Sequence, residues 1–229
     1  MSNSSLVVYK KISPNSNNPR NNKIDTITIH HMAGNLSIES CGAGFADPAR
    51  QASSNYGVGS DGRIGMYVEE ANRSWCSSSR ENDHRAITIE VANDGGAPDW
   101  HISDKALEST IALCVDICQR NGIAKLNFTG DKSGNLTMHK YFAATECPGK
   151  YLESKFPYIA EEVNRRLSMA FGGSVSTNTP KKETAVSGGS GGVLYRVQVG
   201  AYSKRENAEA QLKKIKAAGF TDAFIAVSK

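Results

Sequence analysis

"IDTITIHH", residues 24–31, alternates Thr with Ile and ends on two adjacent histidines. Strict alternation of β-branched residues reads as a strand buried on at least one face. A second stretch, "RAITIEVAN" (85–93), repeats the pattern and carries a glutamate near its end. Side chains two apart in a strand share a face. Thr26, Thr28 and His30 therefore lie together, opposite Ile27, Ile29 and His31. In the second strand Thr88 and Glu90 lie together, opposite Ile87, Ile89 and Val91. We expect the isoleucine faces, with His31, to pack on helices, and the threonine faces to border a polar cleft. A carboxylate in an apolar strand is costly unless it is paired or functional.

Outward from these strands, helices and strands alternate. "SNYGVGSDGRIGMYV" (54–68) reads as a hairpin turning at Ser60-Asp61-Gly62. "SDKALESTIALCVDICQRNG" (103–122) is the clearest helix. Ser103 caps it, Leu107, Ile111, Cys114 and Cys118 form its stripe, and Asn121-Gly122 ends it. A second helix follows "CPGK", with Leu152, Phe156, Ile159, Val163 and Leu167 on one face and Pro148 suited to its start. Pro157 is expected to kink or split it. The fold class is α/β, a mixed central sheet flanked by helices.

Composition breaks at "FGGSVSTNTPKKETAVSGGSGG", where Gly, Ser, Thr and Pro dominate and apolar periodicity stops. This divides the chain of 229 residues into a large domain (1–170), a flexible linker (171–192) and a short tail (193–229). The tail reads strand–helix–strand, a small βαβ module with Val197 and Val199 alternating and Ala208, Leu212 and Ile215 in a helical stripe. The first 170 residues hold 18 basic against 19 acidic side chains, and the remainder 9 against 4. The basic character thus belongs to the tail, which suits an anionic partner there. So short a unit buries little, and its sheet edge suits pairing with a second copy, a possible dimer. No run approaches the ~20 apolar residues of a membrane helix. The N-terminus, "MSNSSLVVYK", lacks the pattern of a secretory signal, so synthesis in the cytoplasm is expected, with release by another route if the protein acts outside. Five cysteines without a CxxC pair argue for reduced thiols over a disulfide scaffold, with Cys114 and Cys118 as core residues. A near-neutral main domain without a recognised motif argues against nucleic-acid binding.

One further segment completes a constellation. "MHKYFAATECPGK" (138–150) sets His139 eight residues before Cys147. Two imidazoles and a thiolate are ordinary zinc ligands, and three protein ligands leave one position for water. Zinc lowers the pKa of such a water from ~16 to ~7, and a carboxylate such as Glu90 could accept its proton. On the residues alone the other reading stays open: a structural His30, a surface His139 and a buried Cys147.

"ITIHHMAG", "SSNYGVGSDGRI", "WCSSS", "AITIEVAND" and "FTGDKSGNLTMHKYFAATECPGKYL" resemble, in order and spacing, the amidase-2 family, zinc-dependent N-acetylmuramoyl-L-alanine amidases. The resemblance covers residues 6–168. It implies hydrolysis of the amide between N-acetylmuramic acid and L-alanine in peptidoglycan. It also implies His30, His139 and Cys147 as ligands of Zn2+, Glu90 as general base and Thr145 as an aid to carbonyl polarisation. Some members carry a tyrosine where Ser54 or Asn55 stands here, which marks these two, with Trp75, as substrate-binding candidates. Members with "WHAG" have a histidine where this chain has Cys76; His84 is a candidate to replace it, the plainer reading being a surface loop histidine. "YRVQVGAYSKRENAEAQLKKIKAAGFTDAFI" resembles the first half of a sporulation-related (SPOR) repeat, a peptidoglycan-binding module. The resemblance implies a wall-lytic enzyme of endolysin or autolysin type, tethered by its tail. Two other classes remain in view, a non-catalytic peptidoglycan-binding protein and a cytoplasmic muropeptide-recycling amidase.

Overall fold

The computed structural model describes residues 2–171, 205–217 and 224–226. The chain divides into two compact units, Met1–Thr177 and Asn178–Lys229. In the first, six strands form one sheet in the order β1 (Tyr9–Lys10), β5 (Ile64–Met66), β4 (Tyr56–Val58), β7 (Ala86–Val91), β3 (Thr26–His31) and β8 (Leu136–Met138). All neighbours are parallel except β4 and β5, which form the hairpin. A separate antiparallel pair joins β2 (Ser16–Asn17) to β6 (Arg73–Ser74). The architecture is the mixed α/β sheet that the alternating pattern predicts.

The two diagnostic segments are the central strands, side by side. Their register pairs Ile27 with Ile87, Thr28 with Thr88, Ile29 with Ile89 and His30 with Glu90. The four isoleucines are fully buried in the main core. Helix α3 (Asp104–Asn121) packs on β7, β4 and α4 (Lys150–Phe171), and α4 also reaches β8. Ser103 caps α3 by accepting from the Ala106 N–H at 3.0 Å. Gly122 ends it in the left-handed conformation (φ 69°), where a side chain would be strained. Cys114 and Cys118 are both fully buried in this core.

Helix α4 starts at Lys150, two residues after Pro148, which lies in the preceding loop. It runs unbroken through Pro157, where a kink or split was expected. Leu152, Phe156, Ile159, Val163 and Leu167 are all buried. One continuous apolar stripe, docked on both sides of the proline, outweighs the loss of a single backbone hydrogen bond.

The hairpin turns at the expected place. Gly62 takes φ 86°, its N–H donates to Gly59 O, and Asp61 accepts from the Arg63 N–H. The other face of the sheet carries α1 (Ile38–Ala46), capped by Ser37, against β4 and β5. Tyr67 fills the space there and donates to Ile38 O at 2.8 Å. A Cβ on Gly57 would meet the Tyr67 oxygen at 2.5 Å, so glycine is required for this close approach. In the second unit the described helix α5 (Arg205–Ala217) has Ala208, Leu212 and Ile215 among its half-buried positions. The expected strand around Val197 and Val199, and nearly all of the linker, lie outside the described residues.

Candidate metal centre

The polar row of the central strands ends in chemistry. His30 and Glu90 stand in register near the carboxyl ends of the parallel strands β3 and β7. His139 follows β8 directly and opens a single 3-10 turn (His139–Tyr141). Three parallel strands thus deliver three ionisable side chains to one end of the sheet, where open α/β sheets place their ligand sites. Cys147 arrives from the loop before α4, fixed by two backbone bonds. Its N–H donates to Thr145 Oγ1 at 3.2 Å, and its carbonyl accepts from the Lys140 N–H at 3.2 Å.

The donor atoms of His30, His139 and Cys147 lie within 4.8 Å of one another. The His30 and His139 rings are 4.7 Å apart between centroids, and His30 Nδ1 is 3.8 Å from Cys147 Sγ. Across a tetrahedral zinc, Zn–N and Zn–S bond lengths place nitrogen and sulfur about 3.6 Å apart, close to what is found. Nε2 of His30 and of His139 and Oε2 of Glu90 are buried without a hydrogen-bond partner. Each such atom costs about 1–3 kcal/mol if nothing satisfies it. Burial also pushes the His30 pKa well below the ordinary value, and those of His31 and His139 fall for the same first reason. Neutral imidazole is the form that binds metal. The donor set therefore fits a zinc ion.

Glu90 sits beside this trio. Its Oε1 accepts from the Cys76 thiol at 3.9 Å. Burial pushes its pKa up to about 8, with Cys76 and Arg50 pulling the other way. Cys76 and Cys147 are both pushed up by burial and by the Glu90 charge. Thr145 is half-buried and borders a surface depression lined also by Lys140, Ala143, Ala144 and Glu146.

The remaining candidates stand elsewhere. Ser54 and Asn55 are fully buried. Ser54 Oγ donates to Tyr56 O at 2.8 Å, while Asn55 Nδ2 donates to Val68 O and its Oδ1 accepts from the Thr88 N–H. Both brace the sheet through these bonds. Trp75 is half-buried, with its indole N–H donating to Asn17 Oδ1 at 2.8 Å. His84 is neither a loop histidine nor a cleft residue. It is buried on the short helix α2 (Arg80–Arg85), and its Nδ1 accepts from the Asn21 N–H. His31 differs from expectation too. It is half-buried, edge-on to Trp100 at 5.1 Å, and its N–H donates to Cys147 Sγ at 3.4 Å.

Two supporting residues escape sequence reasoning. Asp83 accepts from the N–H groups of Cys76 and Ser77 and from Ser77 Oγ, which clamps the loop that carries the thiol. Trp100 holds a left-handed backbone (φ 54°) and walls His31. Asp83 lies in "SSSRENDHR", a plain capped helix start by sequence, and Trp100 in an irregular loop, so no local pattern distinguishes either.

Residues 20–150, more than half the chain, match the model of the N-acetylmuramoyl-L-alanine amidase family. The chain belongs to that family. Residues 176–229 match the SPOR domain. No curated protein matches. Among solved structures, PlyL is similar at 16% identity and TM-score 0.53, over 68% of this chain and 96% of its own. AmpD is similar at 16% and 0.53, over 70% and 99%. The Staphylococcus aureus hydrolase AmiA, solved with its ligand, is similar at 16% and 0.57, over 72% and 84%. At such identities these neighbours speak to the fold, which this amidase domain shares. The two domain types together imply peptidoglycan as the partner. Among the described residues no helix is long and apolar enough to cross a membrane.

Proposed function

We propose that this chain is a zinc-dependent amidase that cleaves the bond between the lactyl group of N-acetylmuramic acid and L-alanine in peptidoglycan. The observation that carries the reading is the convergence of His30, His139 and Cys147 within 4.8 Å, with an unpartnered Glu90 oxygen beside them. His30, His139 and Cys147 would hold the ion, which when bound supplies Lewis acidity and an acidified water. Glu90 accepts the proton of the attacking water and returns it to the departing alanine amine. A carboxyl pushed up to about 8 suits both halves of that transfer near neutral pH. His31 steadies the Cys147 sulfur through its backbone N–H. The Thr145 hydroxyl accepts from the Cys147 N–H and keeps its own proton for donation, so it can steady the scissile carbonyl oxygen. The SPOR tail adds wall affinity through its basic helix and linker, raising the local concentration of the enzyme at its substrate. Pairing of two copies through this tail is part of the same proposal.

The deciding experiment measures metal content and the new chemical ends released from purified cell walls. One equivalent of zinc, new N-terminal alanine and no new reducing sugar would establish the reading. Zinc without release would leave a wall-binding protein, and release from isolated muropeptides alone would favour a recycling enzyme. Gel filtration with and without residues 193–229 tests pairing through the tail.

A further inference from the structure

Cys76 is not used by the mechanism above, yet it is built into the same pocket. Its thiol lies 3.9 Å from Glu90 Oε1, the single side-chain partner of that carboxylate among the described residues. The donor atoms of His30, Cys76 and Glu90 also lie within 4.8 Å of one another. His30 is 1% exposed, and its Nε2 and Glu90 Oε2 have no partner. The loop is not free to swing away. Asp83 grips it through Cys76 and Ser77, and Asn82 ties Ser77 Oγ to Thr28 Oγ1 on β3.

We propose that Cys76, Glu90 and His30 form a second cation site, for a thiophilic divalent ion, overlapping the first through His30. The three donors are one thiolate, one imidazole nitrogen and one carboxylate oxygen, a set suited to zinc or cadmium and unsuited to magnesium or calcium. Binding releases the Cys76 proton to solvent, that of Glu90 where it is protonated and, once the first set holds its ion through one ring nitrogen of His30, the proton on the other ring nitrogen, so that His30 bridges as an imidazolate with no change of oxidation state. The first trio offers two imidazoles and a thiolate and fills first. The second set fills at excess ion. Its consequence for catalysis rests on the amidase reading: a Glu90 oxygen bound to an ion cannot accept a proton, so excess zinc inhibits.

The test titrates cadmium into the metal-free full chain, reading thiolate-to-cadmium absorption in the ultraviolet and bound metal by equilibrium dialysis. Cys147→Ser removes the thiol of the first set. We expect this variant to keep one weakly held equivalent with its absorption, and Cys147→Ser combined with Cys76→Ser to lose both. Identical titrations of the single and double variants would overturn the proposal, as would absorption that survives in the double variant through Cys41, Cys114 or Cys118. Cys76→Ala, run in parallel with circular dichroism, separates ligand loss from misfolding. Cys76→Ser alone should keep the first, tight equivalent. If it and the wild type both lack that equivalent, the three-ligand reading fails while the Cys147→Ser comparison still decides the second site. Activity should fall between one equivalent and a large excess of zinc in the wild type, and that fall should vanish in Cys76→Ser.

Discussion

The two faces of β3 and β7 belong to the same residues' backbones yet obey different rules. On one, Ile27, Ile29, Ile87 and Ile89 are fully buried in the core cluster they share with residues of α3 and α4. On the other, Thr28 pairs with Thr137 and with Asn82, and Thr88 with Ser74 and Asn55. The polar satisfaction then stops one step further along, at His30 and Glu90, whose outer atoms have no partner. A buried face normally closes every hydrogen bond. The apolar face is therefore optimised for stability, while the polar face leaves donors open where an ion and a substrate would complete them. Stability and function are separated by the pleat of a single strand pair.

Changes on the polar face should remove activity without removing the fold. Chelation, or Cys147→Ser, is expected to abolish tight zinc binding and wall hydrolysis, with circular dichroism unchanged. A chelated enzyme of full activity would break the comparison. Glu90→Gln should retain zinc, measured by metal analysis, while kcat falls about 10²–10⁴-fold, the range of a lost general base. Near-normal turnover in that variant would remove Glu90 from its role.

Changes on the apolar face should do the reverse. Ile89→Ala is expected to cost about 2–5 kcal/mol in denaturant unfolding, the transfer and cavity terms of a fully buried isoleucine. Zinc stoichiometry should stay at the wild-type level in the fraction that folds. Smaller still is Ser103→Ala, expected to cost about 1 kcal/mol by removing the cap of α3. The smallest effect is a pH dependence. Hydrogen bonds from Arg165 and Arg166 hold the Glu162 carboxyl down to about 2, below its ordinary 4.5. Its stabilisation is present above pH 4.5 and is lost as pH falls toward 2. Melting temperatures of wild type and Glu162→Gln should therefore converge in acid, by a margin that salt reduces because Glu162 and Arg165 are near the surface.

Much of the frame was legible in the sequence because it rests on local rules. Alternation marked β3 and β7 and their faces, Ser103 and Gly122 marked the ends of α3, and the 3.6-residue stripe marked α4. The candidate trio of His30, His139 and Cys147 was visible as residue types and, through a family resemblance, as a set. Pro157 was misjudged because docking on both sides of a proline is a tertiary quantity. The burial of Asn55 was not legible because its partners, Val68 and Thr88, stand far along the chain.

By itself, then, the sequence determined which segments are strands and helices, which side of each strand is apolar, and which residue types could bind an ion. Those properties depend on neighbours within one turn or one pleat. Only the tertiary structure decided which polar groups meet. His30 and Glu90 became register partners 60 positions apart, the thiol of Cys76 came against Glu90, and His84 was drawn inside to receive a bond from Asn21. Such pairings depend on strand order and loop closure, which no local pattern encodes.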